Sequence, residues 1–168
     1  MTWWMSEMNR ILSLIGVVLV VGCGGPETRD LRTLREVDGL YMNPGDGQPY
    51  SGPVFSMEEG ERRIGSLRDG LWDGPLEEYY ENGQLREKMI WKDGEFDGSF
   101  EEYYENGQLM MKGIYKAREL NGPFERYDRN GELLDRGTLK DGKECGEWFE
   151  EGEVVNYQPC PPDLEGGN

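Results

Sequence analysis

The chain has 168 residues, with 18 Lys and Arg against 34 Asp and Glu, a formal net charge of −16 and no histidine. That length suits one domain plus a leader, and the charge repels nucleic-acid phosphates and anionic lipid headgroups, so no nucleic-acid partner is expected. Without histidine there is no Ser-His-Asp or Cys-His catalysis and no ordinary zinc or non-haem iron site, and no cofactor is expected.

Met8-Asn9-Arg10 forms a short polar segment with one positive side chain, and Met1, Met5 and Met8 are alternative starts. Ile11 to Val21 is apolar apart from Ser13 and Gly16. A bilayer needs about 20 such residues, so this run reads as the core of a signal peptide over 1–22. It ends Val20-Val21-Gly22-Cys23, which resembles a bacterial lipobox. The resemblance implies cleavage before Cys23, acylation of its thiol, and a membrane partner through the N-terminal lipid. Several acyl chains, at about 0.8 kcal/mol per buried methylene, would hold such an anchor durably. Gly24 after the cysteine, where Asp is absent, resembles outer-membrane sorting. The alternative is an ordinary signal peptide with an incidental cysteine. Residues 23–33, with Gly24-Gly25-Pro26, read as the acylated cysteine and a flexible tether.

Leu34-Arg35-Glu36-Val37, Asp38-Gly39 and Leu40-Tyr41-Met42 predict a hairpin, followed by a loop of breakers from Asn43 to Pro49. A repeat begins at Gly52. GPLEEYYENGQLREKMIWKDGEFD from Gly74 and GSFEEYYENGQLMMKGIYKARELN from Gly98 are near-copies. GPFERYDRNGELLDRGTLKDGKEC follows from Gly122, a shorter copy runs from Gly52 to Asp73, and GEWFEEGE is a fragment. A fixed period of this kind signals a repeat architecture. Asn82-Gly83, Asn106-Gly107 and Asn130-Gly131 supply one turn per copy; Asp69-Gly70, Asp93-Gly94 and Asp141-Gly142 supply another. Both dipeptides tolerate the positive φ of a two-residue type I′ turn. Between them lie aromatic and aliphatic runs suited to strands. The predicted fold is all-β: an elongated antiparallel meander of tandem hairpins in a single twisted sheet, with the repeat domain spanning 34–152. Lys116-Ala117-Arg118-Glu119 lacks Asp-Gly and predicts a looser loop.

Val54, Leu76, Phe100, Phe124 and Trp148 align in one column; Met57, Tyr79, Tyr103 and Tyr127 fall three residues later. Strand side chains alternate, so the two columns belong on opposite faces. The pattern G-x-[LF]-x-x-[YF]-[YD]-x-N-G-x-L, then K-D-G-x-x-D-G, resembles the MORN repeat variant of bacterial YwqK-type antitoxins. That resemblance implies a β-repeat scaffold, and an antitoxin or immunity role as one function.

Cys145 and Cys160 remain as a pair once Cys23 is assigned to lipid, and in an exported protein a pair reads as a disulfide. It would pin Val154 to Tyr157 against the last repeat and cap the array within a C-terminal segment 153–168. A redox or metal-binding thiol pair is the rival reading. Glu77, Glu101 and Glu125 coincide, as do Glu78 with Glu102 and Glu81 with Glu105. Paired carboxylates can serve acid–base chemistry, as in glycosidases, but need a cleft that a meander does not offer; a solvated acidic face is the plainer account. Asp69 with Asp73 and Asp93 with Asp97 are oxygen donors for weak Ca²⁺ binding, short of an established motif. The binding strip favoured by the sequence is Tyr79, Tyr103 and Tyr127 flanked by Glu77, Glu101 and Glu125. Tyr gives large contact area at low entropy cost, and such a strip suits a basic protein or a glycan; packing of the sheet on itself is the alternative. The expected protein is therefore a non-enzymatic, lipid-anchored binding module of the bacterial envelope.

Overall fold

The computed structural model describes residues 27–162. The leader, Cys23 with its lipobox, and the end of the tail lie outside the described residues. Among those described, strands dominate, and the only helical turn is a 3-10 turn at Leu31–Thr33. The strands are β1 (Arg29–Asp30), β2 (Arg35–Val37), β3 (Leu40–Met42), β4 (Gly52–Glu58), β5 (Glu61–Arg68), β6 (Leu71–Trp72), β7 (Gly74–Tyr79) and β8 (Leu85–Lys92). They continue as β9 (Glu95–Tyr103), β10 (Leu109–Lys116), β11 (Glu119–Leu120), β12 (Gly122–Tyr127), β13 (Leu133–Lys140), β14 (Lys143–Glu150) and β15 (Glu153–Asn156).

From β4 to β15 the sheet is the expected antiparallel meander, with the short strands β6 and β11 pairing back on β5 and β10. Two features depart from a plain meander. β1 joins β4 in parallel, and β2–β3 forms a separate two-stranded sheet. This hairpin sits where 34–42 predicted one. Leu34, Tyr50, Val54 and Leu67 form one core cluster, against which Leu31, Tyr41 and Trp72 pack. The N-terminal segment thus covers one end of the sheet.

The Asp-Gly turns are built as anticipated: Asp69 and Gly70 have φ of 49° and 81°, Asp93 and Gly94 of 50° and 82°. Both residues are left-handed, as a type I′ turn requires, and its twist matches that of the strands. The Asn-Gly turns differ from the expectation. Only the glycine is left-handed, and the loop is wider: the N–H of Tyr80 donates to Gln84 O at 2.9 Å and that of Gly83 to Tyr80 O at 2.8 Å. Asn82 Oδ1 accepts from Gln84 N at 2.9 Å, so the asparagine acts through its side chain.

The loop at Lys116–Glu119 is also not loose. Ala117 and Arg118 take φ of 52° and 70°, and Lys116 pairs with Glu119. The ladders on either side force the same two-residue turn on residues that resist it, at roughly 1–2 kcal/mol per non-glycine left-handed residue. Ala117→Asp combined with Arg118→Gly is expected to raise stability by about 1–2 kcal/mol in urea melts. The ion pair of Arg118 with Glu95 at 3.3 Å is lost in that variant, but both side chains are exposed and it contributes little.

The face bearing Val54, Leu76, Phe100 and Trp148 buries all four at 4% exposure or less, and is called the inner face below. Its second core cluster is Leu76, Met89 and Phe100, with Trp91, Phe96, Tyr115 and Phe124 packed around it. These rings run along the sheet: Trp72 to Trp91 at 6.4 Å, Trp91 to Phe96 at 4.2 Å, Phe96 to Tyr115 at 5.5 Å, Phe100 to Tyr115 at 5.1 Å. A single layer has no opposing sheet to bury its apolar face, and the array instead leans each aromatic over the next copy. Gly113 and Gly137 make room for this, since each stands opposite a ring-bearing residue, Phe100 and Phe124 respectively. A Cβ at Gly113 would lie 2.7 Å from Phe100, and one at Gly137 would overlap the Trp148 indole.

Successive copies are also clamped at their Asn-Gly ends. Tyr80 Oη donates to Tyr103 O at 2.6 Å, and Asn82 Nδ2 to Glu105 O at 2.9 Å. Tyr104 Oη and Asn106 Nδ2 repeat this on Tyr127 O and Arg129 O, at 2.9 and 2.8 Å. In the third copy Asp128 replaces the second tyrosine. It turns inward on its own loop, accepting from the N–H of Asn130 and of Glu132, both at 2.8 Å. These bonds hold its carboxyl below the usual carboxylate range, the Glu132 N–H first among them.

At the C-terminal end Cys145 and Cys160 form the disulfide, with Cα atoms 4.8 Å apart. β15 pairs antiparallel with β14, and Gly146 exchanges backbone bonds with Tyr157 and Gln158. The segment Val154–Tyr157 is thus held against the last repeat.

Candidate functional site

Alternation along β7, β9 and β12 puts Glu77 with Tyr79, Glu101 with Tyr103 and Glu125 with Tyr127 on the outer face, opposite Leu76, Phe100 and Phe124. Each tyrosine hydroxyl donates to the carboxylate two residues before it. The distance is 2.6 Å for Tyr79 to Glu77 and 2.7 Å for Tyr103 to Glu101, and Tyr127 bonds Glu125 in the same way. The tyrosines are half-buried, and the Arg62 guanidinium lies 4.2 Å from the Tyr79 ring centre. The Tyr79 hydroxyl and then Lys88 hold Glu77 below its ordinary range, and Tyr127 and then Lys112 do the same for Glu125. Tyr103 is pushed up to about 12, by burial first and then by its bond to Glu101. At neutral pH Glu77 and Glu125 are therefore ionised, and Tyr103 is a neutral phenol.

Sheet register adds what one strand per copy could not reveal. On this face Glu77 pairs with Lys88, Lys88 with Glu101, Glu101 with Lys112, Lys112 with Glu125 and Glu125 with Arg136. Carboxylates and cations alternate across the outer face from β7 to β13, with Lys112 Nζ 2.9 Å from Glu125 and Lys88 Nζ 3.3 Å from Glu77. The strip is aromatic and charge-balanced.

A carboxylate row lies on the inner face. There Arg63, Glu78, Glu87 and Glu102 follow one another across β5, β7, β8 and β9. Glu78 is 8% exposed and is held between Arg63 and Arg86. Glu87 has a carboxylate neighbour on each side. Burial first, then Glu102 and Glu78, push it from 4.5 up to about 7, and burial raises Glu102 as well. No sequence signal marked Glu87, because its column holds other residue types in the other copies.

Below pH 4.5 Glu87 is protonated in folded and unfolded chains alike, and costs nothing. Between 4.5 and about 7 the unfolded chain ionises while the folded one keeps its proton, so stability falls as pH rises and levels off above 7. Allowing for solvent screening of a half-exposed group, the loss is about 1–2 kcal/mol. Glu87→Gln should recover that amount at pH 8 and flatten the slope between pH 5 and 8 in urea melts.

Cys145 and Cys160 lie together in the disulfide at the end of the sheet, away from the tyrosine ladder. Asp73 and Asp93, one from each of the acidic pairs, are both drawn to Arg68, at 2.5 and 3.2 Å. Among the described residues there is no group of three or more acidic or cysteine side chains placed to hold a metal ion.

Two consecutive segments, residues 72–93 and 96–117, match the MORN repeat variant. They cover β6 to β10 and the turn after it. No curated protein matches the chain. Among solved structures the chain is similar to a TarM point mutant from S. aureus in complex with fondaparinux, alpha-GlcNAc-glycerol and UDP: 13% identity, 68% of this chain, 21% of that chain, TM-score 0.28. A second TarM structure gives 13% identity over 73% of this chain and 22% of that one, at TM-score 0.29. The chain thus spans about a fifth of the length of those proteins.

Proposed function

We propose that this protein is a non-enzymatic β-repeat module that recognises a protein or glycan through its outer face, and that a lipid on Cys23 holds it at the bacterial envelope, in the outer membrane. MORN repeats commonly serve as binding or scaffold modules, and two of the copies here match the variant. The observation that carries the reading is the threefold recurrence of one Tyr–Glu pair at fixed spacing on a face with no covering layer among the described residues. Hydroxyl-to-carboxylate bonds lock the rings before a partner arrives, which reduces the entropy cost of binding. Balanced charge favours stacking and hydrogen bonding, the contacts that glycans and polar protein surfaces offer.

Two measurements test this. Radioactive palmitate should label wild type and not Cys23→Ala, and only the labelled form should sediment with membranes. On glycan and envelope-protein arrays the wild type should bind a defined set of ligands that the combined variant Tyr79→Ala, Tyr103→Ala, Tyr127→Ala loses. Binding unchanged in that variant would remove the outer face from the reading.

The uninterrupted inner row Glu78, Glu87, Glu102 favours a second reading, in which the protein is an antitoxin or immunity protein that covers a basic toxin surface. Co-expression with a toxin encoded beside it should rescue growth in wild type and fail in a Glu87→Lys variant.

A further inference from the structure

The two ends of the inner face are finished differently. At the N-terminal end the β2–β3 hairpin and the 3-10 turn lie over Val54 and Leu67. At the C-terminal end no such element is present among the described residues, and the inner face of β12 to β15 forms an open trough of about 920 Å³. Register defines its lining. One row runs Arg126, Asp135, Glu150, Glu153 across the four strands, and the next runs Phe124, Gly137, then Trp148 and Val155. Glu144, opposite Leu139, closes the far side. The floor is therefore apolar and its walls are acidic.

We propose that this trough is a docking site for a polypeptide segment in which Lys or Arg alternates with apolar residues. The inference rests on the binding-module reading and assigns it a second surface, on the face away from the tyrosine ladder. Charge complementarity selects the occupant. Of the acids lining the trough, Asp135 is matched by Arg126, while Glu144, Glu151 and Glu153 have no cation paired with them among the described residues. Glu150 accepts from the Tyr157 hydroxyl, at 2.8 Å. Tyr157 stands edge-on to Trp148 with ring centres 6.3 Å apart, so one wall of the trough is part of the disulfide-pinned tail. An acidic segment would be repelled, and a purely apolar one would leave the carboxylates desolvated without a partner. Lys and Arg satisfy both parts of the lining, since their aliphatic stems lie on apolar surface while their heads reach charge. Four strands at ~4.8 Å spacing give a path of ~14 Å, which accommodates about four extended residues.

The test uses the full chain and a fluorescent peptide of about eight alternating Lys and Val residues, long enough to cover the ~14 Å path. Saturable binding is expected, and the combined variant Glu144→Gln, Glu150→Gln, Glu153→Gln should weaken it at least about tenfold while leaving the melting curve in place. A control of equal charge change at exposed loop positions, Glu59→Gln, Glu105→Gln, Glu132→Gln, should bind the peptide as wild type does. A peptide of alternating Lys and Ser that binds equally well would reduce the effect to bulk charge and overturn the site. So would unchanged binding in the inner-face variant, a dimer in solution that buries this face, or tighter peptide binding after removal of residues 163–168, which would make the chain's own end the occupant. Loss of the array ligands in the tyrosine variant, together with peptide binding that ignores the trough, would sink this proposal and leave the module reading standing. Failure on both faces would sink both.

Discussion

Gly137→Val is expected to destabilise the protein by about 3 kcal/mol, at the upper end of what overpacking a tight site costs. Gly137 has ordinary extended backbone, so the effect is purely one of space. The Trp148 indole lies flat over its Cα and overlaps the position of any Cβ. The ring cannot withdraw easily: its Nε1–H donates to Thr138 O at 3.1 Å, Phe124 stands 6.3 Å away on one side and Tyr157 6.3 Å on the other. A Val side chain must either expel the indole, exposing a residue now 3% accessible, or spread β13 from β14. Urea melts read by Trp fluorescence would show both the loss and a change in the native signal. Thr138→Val, one residue on and directed to the other face, should change stability by less than about 0.5 kcal/mol. Equal effects at the two positions would mean that the seat over Gly137 is not what matters.

The second large effect concerns the far end. Replacing both cysteines by serine, or reducing them, is expected to cost about 3 kcal/mol, the value for closing a loop of about 15 residues. The loss should be local before it is global. Without the link, the segment that contributes Tyr157 N to Gly146 O and accepts Gly146 N at Gln158 O is held by a four-residue strand alone. Amide exchange at Gly146 and Tyr157 should accelerate strongly in the serine variant while amides of β8 and β9 stay protected. Uniform acceleration along the whole sheet would show that the link stabilises by constraining the unfolded chain only.

Much of the architecture was legible in the sequence because the period is so regular. The spacing of the turn dipeptides carried the antiparallel meander but not the short strands β1, β6 and β11, and the two aligned columns separated the faces without saying which is buried. The failures have a common origin. Ala117-Arg118 read as a loop because local propensity disfavours its turn, yet the flanking ladders hold it closed. Asn82-Gly83 read as a type I′ turn because the dipeptide fits one, but its asparagine is occupied with Gln84 N and Glu105 O. The alternating outer face and the inner carboxylate row lay hidden for a different reason. Both arise between strands of unlike sequence, so columns of like strands cannot show them. Glu87 neighbours Glu78 and Glu102 only through register, and the seat of Trp148 over Gly137 is likewise a cross-strand fact.

The clamps described at the Asn-Gly ends point in one direction. Tyr80, Asn82, Tyr104 and Asn106 all donate from an earlier copy to backbone oxygens of the next, and Asp128 bonds only within its own loop. A slippage event in the gene that duplicated 74–97 or 98–121 would therefore deliver a unit already fitted to both neighbours, whereas duplicating 122–145 would insert a copy that offers nothing forward. Each such unit would add two strands and lengthen the sheet by about 10 Å with its clamps intact.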